Sequence, residues 1–148
     1  LTLIGEGPEQ HRLEELISRL AISNRVKILP AVPSDGLTKV FAEHDLMVIP
    51  SLTEISPNAA LEARASGLPV LLTEETGLSA ELSQGMVLRP MKTIEDITRA
   101  IIEAEKNYPA LAEHAASLVT AHRAWSAVAE ETLAFFATLS HPHHRKQK

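Results

Sequence analysis

The chain of 148 residues contains no cysteine. Disulfides, cysteine metal sites and a cysteine nucleophile are thereby excluded, and the composition fits a reducing compartment. It has no excess of positive charge. The formal net charge is −5, which argues against a broad nucleic-acid footprint. No apolar run approaches the length of a membrane span. No signal-peptide pattern, internal repeat or interdomain linker is visible. Methionine does not open the chain; Leu1 does, and the expectation is an excised piece of a longer protein. What is there is an ordinary globular balance, 45% hydrophobic and 22% charged. The length suffices for one domain with a sizeable core.

The stretch LMVIPSLTEISPNAALEARASG, residues 46–67, organises the rest. LMVIP is a short apolar run and reads as a buried strand. SLTEISPN, with Pro57 and Asn58, stops the strand and starts a helix. AALEARAS is made of good helix formers, and Gly67 stands where a helix takes its C′ residue. Strand, loop and helix in this order place ligands at the carboxyl edge of a parallel sheet. Glu54 in the loop and Glu62 in the helix frame the unit. Backbone N–H groups near Ser56, Asn58 and Ala59 would face a ligand above the sheet, and a helix N-terminus favours anions. By itself the pattern is common to α/β proteins, where most surface glutamates are solvated.

The other segments alternate. LTLI (1–4) is a strand, and Gly5-Glu6-Gly7-Pro8 is a turn. Gly5 and Gly7 let backbone approach a phosphate, although a plain tight turn explains them as well. A helix follows over 9–21, with Leu13, Leu16, Ile17 and Leu20 on one face. RVKIL (25–29) is a second strand, ending in the stiff loop Pro30 to Pro33. Leu37, Val40 and Phe41 mark the inner face of a helix over 35–44. VLLT (70–73) is apolar on both faces, as a central parallel strand should be. A short helix is expected near 78–83 and a fifth strand at MVLRP (86–90). Thr93 and Asp96 form a capping box for a helix to about Asn107, with Ile94, Ile97, Ile101 and Ala104 inward. A further helical stretch starts at Pro109, and HPHHRKQK (141–148) reads as a disordered tail. The histidines of that tail would take a metal only adventitiously, and those at 11, 44, 114 and 122 read as solvated or capping. Arg64 is expected to face solvent.

Pro50, Ser51, Glu54, Pro57, Glu62, Ala63, Ala65, Gly67, Pro69 and Val70, then Gly77 and Glu81, recur in one order. That order resembles the C-terminal domain of family 4 glycosyltransferases, retaining enzymes with two facing Rossmann-like domains. The likeness runs from LTLIGEGP through RVKILPAVP to AWSAVAEETLAFF. It implies an α/β fold: a doubly wound, Rossmann-like three-layer sandwich of about five parallel strands, forming one domain over 1–140. A break near Ala124 and a last helix over 125–140 that crosses the domain or protrudes are also implied. The resemblance places Glu62 on the ribose hydroxyls of a nucleotide-sugar and Glu54, the catalytic candidate, near the donor sugar. It places the diphosphate on the amides of Ser56, Pro57–Asn58 and Ala59, with Gly5 and Gly7 nearby, and the base against Ala31 and Val32. No metal or other cofactor is required. A carboxylate accepts from two vicinal hydroxyls, and a charge-assisted hydrogen bond contributes about 1.5–3 kcal/mol. Ile55-Ser56 and Pro30 depart from the family pattern.

The family domain normally opens with one more strand, whose loop carries an Arg and a Lys for the diphosphate. The chain starts after it, and the acceptor domain is absent too. The expected partners are a nucleotide-sugar, and a glycan or lipid acceptor held by the missing N-terminal domain. The setting implied is cytoplasmic, peripheral at the inner membrane face in the full-length protein. Without the central first strand the order becomes 2-1-3-4-5 if the gap closes. Otherwise the gap stays open or another chain fills it, and exposed edges and apolar surface favour a homodimer. Alone, this chain is expected to be inactive. The rival reading is a non-catalytic nucleotide-binding or assembly module. A third, a sugar-nucleotide epimerase, lacks a set of bases here.

Overall fold

The computed structural model describes residues 1–118 and 125–139. The elements are β1 (Thr2–Ile4), α1 (Gln10–Arg19), β2 (Lys27–Leu29), α2 (Ser34–Ala42), β3 (Met47–Ile49), α3 (Asn58–Ala65), β4 (Val70–Thr73), β5 (Met86–Arg89), α4 (Ile94–Lys106), α5 (Tyr108–Ser117) and α6 (Trp125–Leu139). The expected break near Ala124 and the tail at 141–148 lie outside the described residues.

β4 is the centre, and all four of its residues are buried. Strand alternation sends Val70 and Leu72 to one face, where Phe41 of α2 and Ala60 and Ala63 of α3 close over them. Leu71 points to the other face and packs against Met91, which precedes α4, and Ala100 on α4. Helices thus cover both faces of a parallel sheet, as alternating strands and helices demand. Ala60 and Ala63 have no exposed surface. Their small side chains let α3 lie close on β4.

Local signals hold this arrangement. Gly67 adopts φ +80°, the left-handed region open to glycine. Its N–H reaches the Arg64 carbonyl and the Leu68 N–H reaches the Ala63 carbonyl, the paired bonds of a Schellman stop. At α4, Thr93 accepts from the Asp96 N–H and Asp96 accepts from the Thr93 N–H, each at 3.1 Å. Such a cap is worth about 1 kcal/mol.

Arg89 on β5 ties α4 to the sheet: its Nε donates to Glu103 Oε2 at 2.9 Å, and its Nη2 to Oε1. Hydrogen bonding to Arg89 holds the Glu103 carboxyl below its ordinary value of 4.5. A group depressed in the folded state lends its stability above the unfolded value and loses it as pH falls through the folded one. Glu103→Gln should therefore flatten the loss of stability in acid below pH 4.5, read as urea midpoints across pH. An unchanged acid limb would mean that the pair does not hold in solution.

Several expectations are corrected. The strands form two parallel sheets, β1-β2 and β3-β4-β5, so 2-1 and 3-4-5 pair as expected but β1 and β3 do not. Phe41 anchors α2 in the β3 half, while His44 beyond its end bonds Thr2 of β1 at 2.8 Å. α2 thereby braces β1 apart from β3, and the half-buried His44 also meets the Val40 carbonyl at 2.7 Å, the capping role that the sequence reading allowed it. The apolar face of α1 stays largely uncovered: Leu13, Leu16 and Leu20 are exposed, because a patch of two strands of three residues is too narrow to seat it. No helix forms over 78–83; a turn runs over 80–85 instead, with the Ser83 N–H on the Ser79 carbonyl and Gly85 at φ +81° ending it. Ile94 is exposed at the first position of α4, where the cap lifts the chain off the core. Arg64 does not face solvent freely: its Nε donates to the Gln84 carbonyl at 2.7 Å.

Candidate functional site

The loop after β3 begins at Pro50, which cannot extend the ladder as a donor. Ser51 Oγ then donates to Glu54 Oε1 at 2.6 Å, so the half-buried Glu54 carboxylate has a fixed partner. The Glu54 backbone is clamped as well. Its N–H donates to the Glu75 carbonyl at 2.9 Å, and its carbonyl accepts from the Gly77 N–H at 2.8 Å. These bonds make a parallel bridge between Glu54 and Thr76. The loops after β3 and β4 are thus one unit.

Gly77 is the tight point of that unit. A Cβ there would sit 2.7 Å from the Ile55 carbonyl oxygen. Gly77→Ala is therefore expected to push the two loops apart and destabilise by about 1–3 kcal/mol. Amide exchange should quicken at Glu54 and Gly77 while β4 stays protected. Unchanged exchange at both amides would show that the backbone gives way elsewhere.

α3 opens without a side-chain cap, from the buried Pro57. The Asn58 N–H turns back to the Ser56 carbonyl at 2.9 Å. No backbone or side-chain acceptor among the described residues meets the N–H of Ser56, Ala59 or Ala60. Those donors and the helix dipole give the loop a locally positive end. Glu62 lies four residues after Asn58, one turn along α3 on the same face. It is exposed, and its carboxylate has no partner among the described residues. Glu75 is different, since Lys92 Nζ holds it at 3.0 Å and that bond raises the Lys92 pKa.

The other expected residues sit apart. Gly5 has φ +133° and donates to the Leu29 carbonyl at 3.0 Å. Gly5 and Gly7 line a cavity of about 350 Å³ with Leu3, Pro8, Leu13 and Ile28. A Cβ on either glycine would meet nothing within 4 Å, so this turn is open rather than packed. Ala31 is exposed and Val32 half-buried. No hydrogen bond or ion pair among the described residues joins the 5–7 or 31–32 segments to the Glu54 loop. The segments GEGPE, PAVP and SLTEISPN carry no Lys or Arg, so any anion there must rely on amides. Among the described residues no three His, Asp or Glu side chains gather as a metal set. No helix among them is long and apolar enough to cross a membrane.

Sequence reasoning assigns no site role to Ser51, Thr76 and Gly77, yet these residues fix Glu54. The Gly-x-x-x-Glu spacing after VLLT is the available signal, but which loop Gly77 touches is a long-range fact.

The chain is similar to several known proteins. The D-inositol 3-phosphate glycosyltransferase of Nocardia farcinica is 42% identical over 89 residues, 56% of this chain and 20% of that protein. A phosphatidylinositol N-acetylglucosaminyltransferase subunit of Arabidopsis thaliana is 33% identical over 107 residues, 72% of this chain and 24% of that protein. The chain therefore spans only a fifth to a quarter of these relatives' length. Among solved structures, sucrose-phosphate synthase from Thermosynechococcus elongatus superposes with a TM-score of 0.76 at 22% identity. The match covers 94% of this chain and 38% of that one. Anabaena HepE, solved in complex with UDP, gives 0.73 at 19% identity, covering 93% of this chain and 40% of that one. The model of the family described as glycosyl transferases group 1 matches residues 1–125, most of the chain. The chain belongs to the group 1 glycosyl transferases.

Proposed function

We propose that this chain is the nucleotide-sugar side of a retaining glycosyltransferase site. The observation that carries the reading is an unpartnered Glu62 carboxylate one turn from the uncapped start of α3, beside a Glu54 that Ser51 and Gly77 hold fixed. Glu62 accepts from the ribose hydroxyls. The free amides of Ser56 and Ala59, on either side of Pro57 and of an Asn58 whose N–H stays on the Ser56 carbonyl, meet the diphosphate and stabilise it as it departs. Glu54 orients the donor sugar. Gly5 and Gly7 approach the phosphates, and the backbone of Ala31 and Val32 receives the base. The donor site so built calls for no metal.

Transfer needs an acceptor, a glycan or lipid, bound by residues outside this chain. The exposed Leu133, Phe135, Phe136 and Leu139 on α6 are the surface we assign to that acceptor-binding part, with a homodimer as the competing use. The whole protein would act in the cytoplasm, at the membrane when its acceptor is a lipid. With no cation in the three loops, the isolated chain binds weakly and does not turn over.

The test is a titration with UDP, GDP and ADP followed by backbone amide shifts. The expected result is movement confined to Gly5, Gly7 and 51–62, strongest with one nucleotide. No movement at millimolar nucleotide, with the fold intact, would remove the donor site from this chain.

A further inference from the structure

The loops after three neighbouring strands are linked in series. β3, β4 and β5 pair in that order and run parallel, so the loops that follow them leave from one edge of the sheet. The loop after β3 carries Glu54. Its clamp to the loop after β4 is main chain, with the Glu54 N–H on the Glu75 carbonyl and the Gly77 N–H on the Glu54 carbonyl. The residue that supplies the first of those carbonyls is held in turn. Lys92, in the loop after β5, places its Nζ 3.0 Å from Glu75 Oε1.

Lys92 stands on a rigid base. Met91 before it is 2% exposed and packs with Leu71 and Ala100. Thr93 after it is the N-cap of α4, bonded to Asp96 in both directions. Only the Lys92 side chain is left to move. Its choice of partner follows from what the nearby carboxylates already do. Glu75 first, then Glu74 and Asp96, raise the Lys92 pKa by their charge. Asp96 Oδ2 already accepts from the Thr93 N–H. Glu74 lies in the field of Arg89, behind Glu103. The Glu75 carboxylate has no second partner among the described residues, so it is the one that takes the ammonium. An exposed ion pair usually contributes little, because two long side chains must be ordered to make it. Here both main chains are fixed beforehand, which lowers that cost.

We infer that Lys92 is a positioning residue for Glu54: it holds Glu75, and the Glu75 carbonyl holds the Glu54 main chain in place. The role rests on the donor-site reading above, in which Glu54 orients the sugar. The link ends on Glu54 and not on α3, so it acts on the sugar and spares the ribose at Glu62. Lys92 therefore sets how much the sugar adds to the affinity of the bare nucleotide.

The test uses the whole chain with Lys92→Met, Lys92→Arg and Glu75→Gln. Lys106→Met is the charge-matched control, an exposed lysine on the last turn of α4. Amide exchange at Glu54 and Gly77 should quicken about two- to fivefold in Lys92→Met and Glu75→Gln, the range of an exposed pair. Lys92→Arg should restore the wild-type rate, and Lys106→Met should leave it unchanged. The pair is 61% and 48% exposed, so about 1 M NaCl should bring the wild-type rate up to that of Lys92→Met. Affinity is then read for UDP with UDP-glucose, GDP with GDP-mannose and ADP with ADP-glucose. For the base that binds, Lys92→Met should lower the nucleotide-sugar to nucleotide ratio about two- to fivefold and leave the bare nucleotide unchanged. Exchange that does not respond to Lys92→Met overturns the inference. So does an equal loss for nucleotide and nucleotide-sugar, which would make Lys92 a general support. If none of the six ligands binds the wild-type chain, the donor-site reading itself falls and the positioning role goes with it, whatever the exchange shows.

Discussion

Glu62→Ala is expected to weaken nucleotide binding by about ten- to a hundredfold. The carboxylate is exposed, four residues along α3 from Asn58, and no side chain or amide competes for it among the described residues. It is thus free to accept two hydroxyl hydrogen bonds at once. Losing charge-assisted bonds worth about 1.5–3 kcal/mol corresponds to that range. Alanine is a good helix former, so α3 should not suffer. Glu62→Gln keeps one acceptor oxygen and removes the charge, and should fall between. Glu81→Ala is the control, since Glu81 is also exposed and its side chain has no partner among the described residues. Equal weakening by both alanine variants would mean that bulk negative charge, not a ribose contact, sets the affinity. No weakening with Glu62→Ala would sink the assignment.

Local chemistry makes much of the fold legible. Gly67 is readable as a helix stop because only a residue at ease with positive φ suits that position, and it has φ +80°. Thr93 and Asp96 are readable because a capping box lies within four consecutive residues. VLLT is readable because a strand covered on both faces shows no alternation, and all four residues are buried. The motif order points to the family, which the match over 1–125 bears out. What is illegible depends on distant parts of the chain. Periodicity marks Leu13, Leu16 and Leu20 as one face but cannot say that the sheet beneath is two strands wide. The separation of β1 from β3 rests on Phe41 and His44 acting from α2, and no run of residues near either strand encodes it. Arg64 finds a carbonyl twenty residues away. For the site, residue types point to Glu54 and Glu62, whereas the Ser51 and Gly77 bonds that hold Glu54 appear only once two loops meet.

Leu72→Ala and Leu71→Ala should separate stability from binding. Both side chains are fully buried on β4, and each truncation should cost about 2–5 kcal/mol from lost transfer energy and the cavity left behind. The two cavities open on opposite faces. Leu72 packs in the cluster with Ala60, Ala63 and Phe41, so its loss undercuts α3 directly below the turn that carries Glu62. Leu71 packs with Met91 and Ala100, so its loss loosens α4, which carries none of the site. Urea unfolding should therefore give similar losses for the two variants. Nucleotide affinity, measured where both remain folded, should fall several-fold further for Leu72→Ala. The logic is positional: α3 has only small residues against the sheet, so Leu72 sets its height and tilt, and a shift of α3 moves the free amides and Glu62 together. A matched loss of affinity in both variants would show that global loosening is responsible. Retained affinity in Leu72→Ala would show that the clamp between the Glu54 and Gly77 loops holds the site without α3 being firmly seated.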